Sequence, residues 1–306
     1  MNITVIIPTL NEEKTIGEVI DRFKRIGYND ILVIDGNSTD KTREIAREKG
    51  AKVVVQSGRG KGQAIAEAFE IVESDVVVLI DGDGTYLPEE VDKLLKPILT
   101  NKAEHVIGNR FANYEKGAFT RLNLIGNKII NFLFRICYGV EVHDILSGYR
   151  ALTREVYKNV ELKKHGFEIE TELTVETLAK GFRIAEVPIT YKKRKGRTKL
   201  KPIRDGIKIG KTVYELITRY SPARYLYFVG FALMFIGFLI GIYVVLDWFK
   251  GISHFLLAVL TTLLILSGIQ LTMFGVISDF IFRSNVEFRR EIIRIREQLL
   301  NLRRKI

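Results

Sequence analysis

The chain has 306 residues, 47% of them hydrophobic and 27% charged, with a formal net charge of +11 and a single cysteine, Cys137. That length allows one sizeable core plus a smaller unit, and the lone cysteine excludes an intramolecular disulfide and fits a reducing compartment. The positive excess does not point to nucleic acid: twelve lysines and arginines lie between 192 and 224, just before a long apolar run, where anionic lipid headgroups attract each by about 1 kcal/mol.

The first half alternates apolar runs with amphipathic stretches, the pattern of βαβ units. Strands are expected over 3–8, 31–34, 52–56 and 76–80, with helices over 13–26, 39–49 and 61–72 between them. Ile16, Val19, Ile20 and Phe23 fall on one face of the first helix. Unbroken Val/Ile runs imply strands covered on both faces, hence an α/β fold with a mostly parallel sheet and helices on both sides. A helix over 88–99 and a strand over 105–108 follow. The stretch 123–138 is apolar on a wide face and carries Lys128 and Arg135; it suits a membrane surface or the side of the sheet equally.

A catalytic domain over 1–200 is followed by an amphipathic helix within 201–224, two transmembrane helices within 225–277 and a basic helical tail over 278–306. Between Tyr225 and Leu246 the only polar side chains are tyrosine hydroxyls, and 255–277 holds no charged residue, so each run can cross a core of about 30 Å. A buried hairpin of a soluble domain is the alternative, though such helices keep a polar stripe. No basic n-region or cleavage site precedes the first strand. The loop between the runs carries two opposite charges while the approach is crowded with Lys and Arg, which places the catalytic domain and both termini in the cytoplasm. The tail either lies on the membrane or pairs with another subunit as a homo-oligomer.

The sharpest local feature is Asp81-Gly82-Asp83-Gly84, delivered by a buried strand to the sheet edge where open α/β folds bind ligands. Two carboxylates so spaced can converge on Mg²⁺ or Mn²⁺, and the glycines let a diphosphate approach the backbone; a plain turn is the bland alternative. Pro8-Thr9-Leu10-Asn11-Glu12 and Asp35-Gly36-Asn37-Ser38-Thr39-Asp40 end the first two strands, and helix capping alone suffices to explain Asp40. The glycine-rich basic loop from Ser57 to Gly62 suits anions but lacks a Walker pattern. The four histidines show no metal-ligand spacing.

Together with Val5-Ile6-Ile7 before Pro8, and with Ser147-Gly148-Tyr149-Arg150, these segments resemble glycosyltransferase family 2, and within it the polyprenyl-phosphate group that contains the dolichyl-phosphate mannose and glucose synthases. The similarity covers about 1–220 and implies a GT-A-type, Rossmann-like catalytic domain that ends in a membrane hairpin. It implies that Pro8, Leu10, Glu12, Ile34, Asp35, Asp81, Gly82 and Asp83 surround the nucleotide-sugar, with the metal on Asp81 and Asp83. Arg110, Ser147, Lys195, Lys199 and Lys201 would meet the acceptor phosphate, with Asp83, Arg110 and Asp144 as the catalytic set. The expected reaction is metal-dependent, inverting transfer of a hexose or N-acetylhexosamine from a nucleotide-sugar to dolichyl or polyprenyl phosphate. The phrase Gly166 to Leu173, and Gly36 where mannose synthases carry a second aspartate, favour UDP-glucose or UDP-N-acetylglucosamine over GDP-mannose. Leu10, Thr85 and Glu168 also depart from the common tyrosine, glutamine and lysine. A polysaccharide synthase is the rival within the fold, but it normally needs more spans and a Gln-x-x-Arg-Trp motif, and the only tryptophan is Trp248. A non-catalytic membrane scaffold is the rival outside it.

Overall fold

The computed structural model describes residues 1–138, 140–164, 166, 168–194, 211 and 222–303. It divides into two compact units, 1–135 with 140–213 and 136–139 with 214–306, and each is considered by itself.

In the first unit the described residues form one sheet of seven strands in the order β3-β2-β1-β4-β6-β5-β7. The strands β1 (Ile3–Thr9), β2 (Ile31–Asp35), β3 (Lys52–Val55) and β4 (Val76–Leu79) are parallel and arise from the Val/Ile runs. Helices α1 (Ile16–Arg25), α2 (Thr42–Glu48) and α3 (Lys61–Ile71) connect them. α1 buries Ile16, Val19, Ile20 and Phe23, the expected face. Each such side chain contributes roughly 1.5–3 kcal/mol relative to exposure, an upper estimate because the unfolded chain already hides some apolar surface.

The chain winds outward from β1 to β3, then returns to lay β4 on the other side of β1. That reversal opens a crevice at the C-terminal ends of β1 and β4. Beyond β4 the order departs from simple alternation. A 3₁₀ turn at Pro88–Glu90 precedes α4 (Val91–Leu99), so the helix expected over 88–99 is divided. β5 (His105–Tyr114) runs six residues past the strand expected over 105–108, and α5 covers Arg121–Tyr138. β6 (Arg150–Thr153) then inserts antiparallel between β4 and β5, followed by α6 (Arg154–Asn159) and α7 (Ile169–Ala179). β7 (Ile184–Tyr191) pairs with β5 at the edge of the sheet, a position that tolerates Pro188, and Tyr191 makes an isolated bridge to Tyr86.

The second unit contains α8 (Pro222–Trp248) and α9 (Phe255–Arg303). Their apolar stretches, Tyr225–Trp248 and Phe255–Phe282, have mean hydropathies of 2.6 and 2.1 and are long enough to cross a membrane. Phe228, Phe255 and Leu256 are 76%, 78% and 81% exposed, which a buried hairpin of a soluble domain would not leave in water. One helix carries both the second apolar stretch and the tail. The expected amphipathic helix within 201–224 falls largely outside the described residues.

Small residues set the antiparallel contact between α8 and α9. A Cβ on Gly268 would lie 2.6 Å from the Gly230 carbonyl oxygen and 2.5 Å from Met234 Cγ, and one on Gly230 would lie 2.5 Å from Thr272 Oγ1. The two backbones therefore touch where apolar burial gives no drive between helices and dispersion must hold them. Replacing Gly268 by Val is expected to cost about 1–3 kcal/mol of overpacking, read as a lower Tm of the detergent-solubilised protein. An unchanged Tm would remove this contact from the account.

Candidate active site

A cavity of about 330 Å³ opens at the C-terminal ends of β1 to β4. One part of its wall is uncharged, formed by Pro8, Leu10, Gly36 and Gln56, and another carries the charges of Lys61, Asp81, Asp83 and Arg194.

The wall is built from two interlocked loops. Asn11 and Asn37 adopt left-handed backbone conformations, φ 52° and 64°, which asparagine tolerates. Asn11 donates its N–H to Ser38 Oγ at 2.9 Å and accepts the Thr39 N–H on Oδ1 at 2.8 Å. The Glu12 N–H donates to Thr42 Oγ1 at 2.8 Å. Asp40 accepts the Thr42 N–H at 3.0 Å and the Glu13 N–H at 3.2 Å; the N-cap position of α2 is Lys41, so Asp40 stands one residue ahead of the cap expected of it. Asp35 is fully buried and accepts both the N–H of Ser38, at 2.9 Å, and its hydroxyl, at 2.5 Å. Ile34 is buried as well, so these two residues lie behind the wall and Gly36 takes the surface. A Cβ on Gly36 would sit 3.1 Å from the Thr9 carbonyl oxygen and 3.5 Å from Gln56 Nε2. Gln56 is itself buried, and its Oε1 has no hydrogen-bond partner among the described residues.

At the other end the two aspartates face different cations. Lys61 Nζ lies 2.5 Å from Asp81 and 2.6 Å from Glu170. Burial works to lower the Lys61 pKa, but the Asp81 and Glu170 carboxylates outweigh it and the net shift is upward, so the ammonium stays charged. Gly148 has no room for a side chain: a Cβ there would be 2.7 Å from Asp81 Oδ2 and 2.9 Å from Lys61 Nζ. Asp83 accepts the Thr85 N–H at 3.0 Å and the Thr85 hydroxyl at 2.6 Å on Oδ1, while Oδ2 meets Arg194 at 3.0 Å. Arg194 also reaches Glu12 at 2.5 Å. It arrives there because the Lys192 N–H donates to the Thr85 carbonyl at 2.7 Å, strapping the end of β7 to the Asp83 loop.

A second cluster lies beyond Tyr86 and Tyr191, whose rings are 5.1 Å apart. Arg110 makes a two-pronged pair with Asp144, 2.7 Å at both Nε and Nη2, and Asp144 also accepts the Arg110 N–H at 3.0 Å. The rings of Phe119 and Tyr191 lie 5.4 Å from the guanidinium carbon. Asp144 thus holds the Arg110 guanidinium in place. Ser147 is fully buried and its hydroxyl has no hydrogen-bond partner among the described residues. Its carbonyl accepts Arg150 Nε at 2.7 Å, and the Ile145 carbonyl accepts Nη2 at 2.6 Å, so Arg150 ties down the 144–148 turn. Burial lowers the Arg150 pKa to about 10, against the opposing pull of Glu170 and Asp144, and the guanidinium remains charged at neutral pH. His105 accompanies it, Nε2 at 3.2 Å from Arg150 and Nδ1 at 2.9 Å from Thr177, which gives this histidine a structural place.

The structure therefore brings Pro8, Leu10, Glu12, Asp81, Gly82 and Asp83 together around one cavity and sets Arg110, Asp144 and Ser147 in the neighbouring cluster. Lys195, Lys199 and Lys201 lie outside the described residues. Sequence reasoning passed over the roles of Glu170, Gln56 and Arg194, and saw Lys61 only as part of a basic loop. The signals were slight: three glutamates on a short helix otherwise apolar and small, a glutamine ending a strand, and one arginine within a basic run.

A mostly parallel sheet with a cavity at its strand-order reversal, and two aspartates just past the end of the central strand β4, is the arrangement of a nucleotide-binding α/β fold. The chain belongs to glycosyl transferase family 2, whose model matches residues 4–161, and within it to the polyprenyl-phosphate glycosyltransferase group. Glycosyltransferase AglJ of Haloferax volcanii is 46% identical over 283 residues, 91% of this chain and 93% of that protein. The dolichyl-phosphate hexose transferase of the same organism is 37% identical over 219 residues, 70% and 93% of the two chains. Among solved structures, glucosyl-3-phosphoglycerate synthase from Mycobacterium tuberculosis, in complex with Mn²⁺, UDP-glucose and phosphoglyceric acid, matches with TM-score 0.58 and 26% identity, covering 71% of this chain and 80% of that one. The mostly parallel α/β sheet with its GT-A-like neighbours, followed by the two apolar helices, is the architecture expected from the sequence.

Proposed function

We propose that the protein transfers a hexose or N-acetylhexosamine, from UDP-glucose or UDP-N-acetylglucosamine rather than GDP-mannose, to dolichyl or another polyprenyl phosphate, with inversion, at the cytoplasmic face of the cell membrane. The observation that carries this reading is the cavity's polarity: an uncharged wall of Pro8, Leu10, Gly36 and Gln56 in one part, Asp81 and Asp83 in another, in a chain with two membrane-length apolar helices. The hexose transferase relative and the UDP-glucose complex of the mycobacterial enzyme support the donor and acceptor classes.

The charged groups suit a divalent ion. Asp81 and Asp83, two carboxylates two residues apart on the cavity wall, are the hard oxygen donors that one Mg²⁺ or Mn²⁺ takes. Asp81 and Asp83 would hold that ion, and it would supply charge neutralisation for the departing diphosphate. Pro8 and Leu10 pack the base, and the unsatisfied Gln56 carboxamide faces its polar edge. Lys61 holds Asp81 in place across the Gly148 cradle. Arg194, released from Asp83, turns its charge to phosphate. The acceptor phosphate is already anionic, so the chain needs no strong general base; it needs cations to bring two phosphates together, the part of Arg110, fixed by Asp144, and of Lys195, Lys199 and Lys201. Ser147 lies buried behind Arg110 and Asp144 with no partner for its hydroxyl among the described residues, and is assigned to the same oxygens.

Incubating the purified protein with UDP- and GDP-sugars and a polyprenyl phosphate, with products read by mass spectrometry, tests the proposal. The expected product is a lipid-phosphate hexose or N-acetylhexosamine formed fastest from the UDP donor. Faster transfer from GDP-mannose would reverse the donor assignment, and no lipid product from any donor would remove the acceptor.

A further inference from the structure

We propose that the end of α9 is a parallel coiled-coil seam that joins this chain to a second copy of itself. The inference goes beyond the catalytic reading and does not depend on it.

α9 runs without interruption from its apolar stretch, Phe255–Phe282, to Arg303. Past Phe282 the apolar residues Phe288, Ile292, Ile295, Leu299 and Leu302 recur at alternating steps of three and four, with Val286, Ile293 and Leu300 along one flank of that row. With Asn285 and Ile281 ahead of them they fill the a and d positions of three successive heptads, a at 285, 292 and 299 and d at 288, 295 and 302. The side chains described along this seam are uncovered: Phe288 is 68% exposed, Ile292 51% and Ile295 52%. Leaving such a row in water forfeits roughly 1.5–3 kcal/mol per residue that burial would return.

Three features select a second copy as the cover. A helix that leaves a bilayer and then lies on its surface needs a kink, and kinks arise at proline, at Gly/Ser pairs or at π-bulges. From 276 to 303 the sequence has neither proline nor glycine, and the helix is continuous, so the seam projects away from the bilayer. Two copies inserted in the same sense send their tails out side by side and parallel. The flanking positions agree with that orientation. In a parallel pair a g residue meets the e residue five positions on in the partner. Glu291 at g is matched by Arg296 at e, while Ser284 and Gln298 at g are matched by Arg289 and Arg303, with no like-charge pair. An antiparallel pair would set the e arginines against one another. Asn285, the one polar a residue among the three, pairs with its own copy and fixes a two-stranded register.

The test uses the full chain in a Cys137→Ser background, with single cysteines at Ile292→Cys, Ile295→Cys or Glu287→Cys, oxidised in native membranes. The seam positions are expected to give roughly tenfold more disulfide-linked dimer than position 287, which lies on the outer face beyond bridging distance. In detergent, light scattering should give wild type twice the protomer mass and an Ile292→Lys/Ile295→Lys variant a single protomer. Equal cross-linking at all three positions, a monomeric wild type, or a variant that stays dimeric would each overturn the proposal.

Discussion

Asp83→Asn is expected to lower sugar transfer by about a thousandfold, the equivalent of roughly 4 kcal/mol of lost transition-state stabilisation, while the protein folds and inserts normally. Asparagine keeps an oxygen where Asp83 Oδ1 accepts the N–H and hydroxyl of Thr85, so the turn survives. What disappears is the negative charge that meets Arg194 and that would hold the divalent ion. Transfer rate and Tm measured together separate the two: a large loss of rate at nearly constant Tm is the expected pair. A variant that still transfers at the wild-type rate, or a wild type indifferent to chelator, would falsify the metal assignment.

Lys61→Met should produce the opposite profile, a loss of both activity and stability. Lys61 compensates Glu170, whose side chain is 6% exposed and whose Oε2 already lacks a hydrogen-bond partner among the described residues. Removing one member of such a buried pair costs about 3–5 kcal/mol because the remaining charge is stranded. For a unit of this size that corresponds to a fall in Tm of roughly 10 °C. Adding Glu170→Gln to Lys61→Met should recover most of the lost Tm, since the buried charge is then gone and the part-exposed Asp81 stays hydrated, but not the activity, since Asp81 still lacks its partner. Thermal unfolding of the two single variants and the double variant decides it, and a Lys61→Met protein as stable as wild type would contradict the stranded-charge account.

The contrast between those variants also explains what the sequence could disclose. Asp81 and Asp83 lie two apart in the chain and follow the aliphatic run Val76-Val77-Val78-Leu79-Ile80, so both the strand and its cargo are written locally. The parallel half of the sheet was legible for the same reason. Lys61 and Glu170 meet from more than a hundred positions apart, and Arg194 reaches Glu12 across 182. No local pattern encodes such pairs; they exist only once the sheet order is set. β6 escaped notice because it starts with Arg150, a charge that breaks the apolar run, and is fully satisfied only by the Ser147 and Ile145 carbonyls, Thr174 and His105. α7 escaped because Glu170, Glu172 and Glu176 are all buried with its apolar residues, which leaves no polar stripe to show a helical period.

The interlocked loops after β1 and β2 have a thermodynamic consequence for the donor. Asn11 and Glu12, bonded to Ser38, Thr39 and Thr42, fix the wall proposed for the nucleoside when the chain folds, with hydrogen bonds internal to the protein. A base entering that wall has little backbone to immobilise, and ordering costs are a main reason that buried area fails to become affinity. The nucleoside half of the donor should therefore bind with a small entropic penalty, leaving its recognition dominated by enthalpy, while rearrangement is confined to the Arg194 contacts over the diphosphate.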